Sequence, residues 1–196
     1  IDPEAGIAGV GGRVLPTRET VFSHYLTYLR VLEPPDHAPY LVTCNAAYSR
    51  EAFLEALGFP EDIGVPGGED IELSIKLWKR GWRFRYLPEA VVMHEHRDTL
   101  RSFARTWRNY GYGTGLVVRR CLSPAEQRGE PTADPNAWRG DFLHPTLQLI
   151  RARSVLAECR RRQFSYKHQV KALILWAVER GMYFYGWHCA RPQPKA

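Results

Sequence analysis

The hydrophobic period changes midway along this 196-residue chain, and that change limits the folds open to it. Trp82, Phe84 and Tyr86 alternate with Arg83 and Arg85, the two-residue repeat of a strand with one face on a core. Further on, Leu100, Phe103, Ala104 and Trp107 recur at i, i+3, i+4 and i+7, so a helix packs one side back onto the body. Strand and helix alternate in this way up to about residue 110, and the remainder of the chain reads as helical. The expected class is α/β with a helical tail.

Local signals supply the elements. Gly9 to Pro16 reads as a turn into a short strand. Thr20 to Leu32 places Val21, Tyr25, Tyr28, Leu29 and Leu32 on one helical face, ended by Pro34-Pro35. Tyr40 to Thr43 is a β-prone run, and Ser49 is the expected N-cap of a helix over Arg50 to Leu57 with Gly58 as its stop. Ile71, Ile75 and Trp78 predict a helix from Glu69 to Arg80-Gly81. Pro88 is expected to break the strand over 82–86, with Ala90 to Met93 forming a second one. Residues 122–143, with Pro124, Gly129, Pro131, Pro135 and Gly140, read as a linker. Two helices are expected at 145–162 and 166–187.

Charge is split between the halves. Residues 1–96 carry 9 basic and 14 acidic side chains, a net −5, whereas residues 97–196 carry 18 and 7, a net +11. A basic half can face nucleic acid, anionic lipid or phosphorylated ligands, or can be a solvated helical surface. No nucleic-acid motif is readable, so no nucleic-acid partner is expected. With 44% hydrophobic and 24% charged residues the composition is that of a globular chain. Cys44, Cys121, Cys159 and Cys189 are far apart, which favours a reduced environment over a disulfide framework. The apolar run Ala172 to Val178 stops at Glu179-Arg180, too short for a membrane span. Ile1 is not a start methionine, and the expectation is a processed chain or a piece of a longer one.

The residues able to carry chemistry are few. Gly67-Gly68-Glu69-Asp70 puts two carboxylates after a flexible turn and at a helix start, a place for a general base and equally an ordinary cap. His94 and His96 share one side of a strand end and can offer a metal ligand, without the spacing of a zinc-protease motif. Asn45 either closes a turn or presents an amide to a sugar hydroxyl or diphosphate. The run Arg105 to Gly113 mixes cations, aromatics and glycines, suiting phosphate and ring recognition or simple packing. There is no P-loop, no Ser/His/Asp grouping and no Asp-x-Asp pair.

The order of these blocks is more specific than any one of them. Gly11-Gly12-Arg13-Val14, Thr43-Cys44-Asn45-Ala46-Ala47-Tyr48, Gly68-Glu69-Asp70-Ile71-Glu72, Gly81-Trp82-Arg83-Phe84, Leu87 to His94 and Arg108-Asn-Tyr-Gly-Tyr-Gly come one after another. Together, over residues 8–115, the succession resembles the second half of a family 2 glycosyltransferase of GT-A fold. The resemblance implies a partial, Rossmann-like mixed sheet with flanking helices. It divides the chain into 1–121, the acceptor-side half of that domain, a linker at 122–143, and a basic helical extension at 144–196. It implies Asp70 as catalytic base, Glu69 as acceptor contact, Asn45 lining the cleft, Arg108 near the diphosphate and His94 as ligand of a divalent metal, Mn or Mg. The implied reaction is an inverting transfer from a nucleotide-diphosphate sugar to a hydroxyl on a glycan or lipid-linked acceptor of the bacterial cell envelope. The nucleotide-binding half, which ends in Asp-x-Asp in the family, is missing, so the isolated chain is expected to be inactive. The expected place is the cytoplasm, with peripheral contact at the inner face of the membrane through the basic helices. The alternative is a non-catalytic basic module docking on a membrane or partner protein.

Overall fold

A computed structural model describes residues 1–34, 38–127 and 147–190. Its sheet has three strands, β1 (Ile7–Pro16), β2 (Ala46–Tyr48) and β3 (Arg83–His94), in the order β2-β1-β3. Strand β1 runs antiparallel to β2 and parallel to β3. Around the sheet lie α1 (Val21–Tyr28), α2 (Arg50–Glu55), α3 (Glu69–Trp78), α4 (Leu100–Cys121), a single turn α5 (Pro124–Gln127), α6 (Leu147–Arg161) and α7 (Tyr166–Cys189). This is the mixed sheet with flanking helices that the α/β reading expected, followed by further helices.

Caps explain most helix starts. Ser49 accepts from the Ala52 amide ahead of α2, Thr99 from Ser102 ahead of α4, and Ser165 from His168 ahead of α7. Thr20 and Ser23 close a reciprocal box on α1. Two strand expectations are corrected. Residues 40–43 do not form a strand: Leu41 gives its amide to the Ser74 hydroxyl at 3.2 Å, a helical turn covers Thr43–Asn45, and the sheet edge is taken by Ala46–Tyr48 instead. Pro88 does not end its strand either. The ladder steps from Leu87, opposite Gly12, to Val91, opposite Arg13, and residues 88–90 bulge out of it. A residue without an N–H fits in a bulge, where no ladder bond is asked of it.

Three cores hold the layers together. Ala8, Leu41, Ala52, Leu73, Leu77 and Phe84 pack α2 and α3 on the sheet. Tyr25, Phe103, Trp107, Val155, Cys159 and Leu175 join α1, α4, α6 and α7. Ile63, Ile75, Val117, Val118 and Leu122 join α3 to α4. Helix α4 therefore borders both helical cores and fixes α7 relative to α3. The expected linker begins inside this packing, since Leu122 is buried and α5 comes next; from residue 128 on it lies outside the described residues. No described helix is long and apolar enough to cross a membrane.

Candidate active site

The site is built on the turn before α3. Gly67 and Gly68 take positive φ values of 113° and 99°, which side chains resist. Space demands glycine as well: a Cβ on Gly113 of α4 would stand 1.7 Å from the Gly67 carbonyl oxygen. Gly113 of the Arg108-Asn-Tyr-Gly-Tyr-Gly block therefore seats the Gly67-Gly68 turn directly on α4. On its other side α4 meets α7 just as closely, because a Cβ on Gly111 would stand 2.0 Å from the Tyr183 carbonyl oxygen and one on Gly186 2.0 Å from that of Arg108.

The turn delivers the two carboxylates to a cleft of about 400 Å³, a size suited to a small-molecule site. Glu69 Oε2 accepts the Gly67 amide at 2.7 Å, and Asp70 Oδ1 accepts the Ile71 amide at 2.9 Å. Burial, and then the neighbouring Glu69 charge, raise the Asp70 carboxyl to about 6, against backbone amides of Ile71 and Thr43 that hold it down. Such a carboxylate is mostly ionised at neutral pH and is a stronger base than an exposed one. Burial pushes the thiol of Cys44 up to about 11 and the phenol of Tyr110 up to about 12, in each case with Asp70 as the next cause. Both therefore stay protonated beside the carboxylate.

Glu69, Asp70 and His94 line this one cleft. Asn45 and Arg108 do not line it. Asn45 Nδ2 donates to the carbonyls of Arg13 and Ala90, both at 2.9 Å, and so ties the bulge of β3 to β1. The Arg108 guanidinium is exposed and reaches Asn109 Oδ1 at 3.5 Å. Two cations stand in the cleft wall, Arg30 and, from α7, Arg180, which is ion-paired with Glu179 and lies 5.6 Å from the ring centre of Tyr183 and 5.9 Å from that of Trp107. Glu179, fully buried, also accepts from the Tyr25 hydroxyl. Sequence reasoning missed Arg180 and Tyr183. Their signal was a charged pair interrupting an otherwise apolar helix, which usually marks a buried polar cluster.

A second chamber, also about 400 Å³, shares Val31, Leu32, Pro66, His94, Trp107 and Tyr110 with the first. His94 Nδ1 and His96 Nε2 are buried with no hydrogen-bond partner. An unpartnered imidazole nitrogen fits one ligand position of a divalent ion. Among the described residues no group of three His, Cys, Asp or Glu could hold such an ion, so His94 fits as a single ligand and no more.

Residues 18–187 match the family described as glycosyl transferase family group 2. The chain is 33% identical over 105 residues to the O-antigen chain rhamnosyltransferase RfbN of Salmonella typhimurium, covering 54% of this chain and 30% of that protein. It is 31% identical over 102 residues to the putative polypeptide N-acetylgalactosaminyltransferase 13 of Drosophila melanogaster, covering 52% and 16%. It is 32% identical over 87 residues to the pre-mycofactocin glycosyltransferase of Mycobacterium tuberculosis, covering 44% and 18%. The chain thus spans 30% or less of the length of these relatives.

Proposed function

Because this chain belongs to glycosyl transferase family group 2, we propose that its cleft activates the acceptor in transfer of a sugar from a nucleotide-diphosphate donor to a hydroxyl group. The observation that carries this reading is Asp70, a sheltered carboxylate raised to about 6 in the wall of a sugar-sized cleft. Asp70 takes the hydroxyl proton as the acceptor oxygen attacks the anomeric carbon. A new carbon–oxygen bond forms there, the bond to the donor phosphate breaks, and its electron pair leaves with the nucleoside diphosphate. A single displacement of this kind inverts the anomeric centre and needs one base, which Asp70 supplies. Glu69, held by the Gly67 amide, orients the acceptor. Trp107, Tyr110 and Tyr183 give the cleft apolar walls for a ring.

His94 is the imidazole this chain offers to a divalent ion, Mg or Mn. Such an ion, when bound, neutralises charge on the leaving diphosphate. The donor's nucleotide is proposed to be held by residues other than those described, since the chain contains no Asp-x-Asp pair. The acceptor class proposed is a glycan or lipid-linked glycan, and the similarity to an O-antigen chain rhamnosyltransferase supports a bacterial envelope polysaccharide.

The test is Asp70→Asn in the protein carrying both halves of the site. Transfer falls about 10²- to 10⁴-fold with folding intact; unchanged transfer overturns the assignment. A compatible second reading is peripheral contact with the inner face of a membrane. Tyr166, Val170, Ile174 and Tyr185 are exposed along α7, with Lys167 and Lys171 beside them and Arg160 at the end of α6. Apolar residues flanked by cations suit an anionic lipid surface. Co-sedimentation with anionic but not neutral vesicles supports this contact, and binding indifferent to lipid charge and salt overturns it.

A further inference from the structure

We propose that the Tyr110 hydroxyl is an acceptor contact that sets specificity: it donates a hydrogen bond to a second oxygen of the acceptor, next to the hydroxyl that Asp70 deprotonates. The proposal rests on the function assigned to the cleft above and names a feature of its substrate, an acceptor with oxygens on neighbouring carbons. Tyr110 lines both chambers, so its side chain stands where they meet. Its hydroxyl makes no hydrogen bond among the described residues. Other sheltered tyrosine hydroxyls of this fold are engaged, Tyr25 on Glu179 and Tyr86 on Glu33 at 2.5 Å. A sheltered phenol normally finds such a partner.

The ring is held by the turn that precedes the two carboxylates. A Cβ on Gly67 would stand 2.6 Å from Cδ1 of Tyr110 and 3.2 Å from its Cα, so only glycine lets the turn lie against this side chain. Trp107 packs edge to face on it, with ring centres 5.6 Å apart and an interplanar angle of 82°. Burial, and then the charge on Asp70, keep the phenol protonated, so it retains the proton it donates. Asp70 takes its own hydrogen bonds from backbone amides and none from Tyr110. A held donor and a held base thus line one cleft without bonding each other. One acceptor hydroxyl gives its proton to Asp70 while the neighbouring oxygen accepts from Tyr110. Two contacts fix the direction of attack, where a single contact leaves the acceptor free to turn.

The test compares the acceptor with analogues deoxygenated at the carbons flanking the reacting hydroxyl, in the protein carrying both halves of the site. With the parent protein, one of these analogues loses about tenfold or more in kcat/KM. Tyr110→Phe lowers kcat/KM for the intact acceptor by a similar factor. It also handles that analogue and the intact acceptor alike within about twofold, because the donor that told them apart is gone. Its acid limb stays where the parent's lies, since Tyr110 does not act through Asp70. The variant melts at or above the parent temperature, because the lost hydroxyl satisfied no group of the protein. No loss with any analogue in the parent, discrimination that survives in Tyr110→Phe, a shifted acid limb or a lower melting temperature overturns the contact. If one of these occurs while Asp70→Asn still suppresses transfer, the base assignment stands without it. If Asp70→Asn leaves transfer unchanged, the proposed function falls, and this contact falls with it.

Discussion

Replacing Asp70 by asparagine should make the protein more stable at neutral pH while removing its activity. The raised carboxyl carries the reason. Folding moves Asp70 from an ordinary 3.8 to about 6, and about 2 pK units correspond to about 3 kcal/mol. Linkage sets the sign. A carboxyl whose folded-state value is raised holds its proton more tightly when folded, so its contribution is fully present below the unfolded value and is lost as pH rises through about 6. Above that point the folded protein carries a sheltered negative charge beside Glu69. Asparagine has nearly the same shape, keeps an oxygen for the Ile71 amide now bound at 2.9 Å, and carries no charge. The expected gain at about pH 7.5 is therefore up to about 3 kcal/mol, a rise in Tm of roughly 5–10 °C for a chain of this size. At about pH 4.5 the same calculation leaves only about 1 kcal/mol. Thermal melts of parent and variant at the two pH values measure both numbers. A variant that melts at or below the parent temperature at neutral pH refutes the reasoning, as does a gain that is the same at both.

The same geometry sets further outcomes. Glu69→Gln removes the second cause of the Asp70 shift but keeps an oxygen for the Gly67 amide, so the acid limb of the pH–rate profile moves below about 6; a limb that stays in place contradicts the coupling between the two carboxylates. Gly113→Ala drives a Cβ to within 1.7 Å of the Gly67 carbonyl, displacing the Gly67-Gly68 turn and costing about 1–3 kcal/mol. Gly181→Ala, on an open helical face with nothing within 4 Å, should instead stabilise by about 0.5–1 kcal/mol, and chemical denaturation of both variants checks the contrast.

Features that depend on neighbours along the chain were legible in the sequence. Ser49 announces α2 because a cap acts three residues ahead, and Glu69-Asp70 was readable because a Gly-Gly turn must precede a helix start held that closely. Features that depend on approach through space stayed hidden. Asn45 spends its amide on Arg13 and Ala90, partners 32 and 45 residues away, to brace a bulge that local signals present as a strand break. Arg180 reaches the cleft only because Gly111 and Gly186 let α7 lie against α4, an approach that no spacing within either helix records. A pair of charges inside an apolar helix was the trace it left, and reading Glu179-Arg180 only as the end of an apolar run concealed it. The resemblance to family 2 glycosyltransferases pointed to Asp70 and His94 through the order of motifs, whereas the walls that the two chambers share needed the fold of α4 against the end of β3.

The role proposed for Asp70 as base is tested most directly by the pH dependence of sugar transfer. With Asp70 raised to about 6, kcat/KM climbs about tenfold per pH unit below that value and levels off above it, because only the ionised carboxylate accepts the hydroxyl proton. An acid limb centred near the ordinary carboxylate value of about 4, or a profile unchanged in Asp70→Asn, would show that Asp70 is not the base.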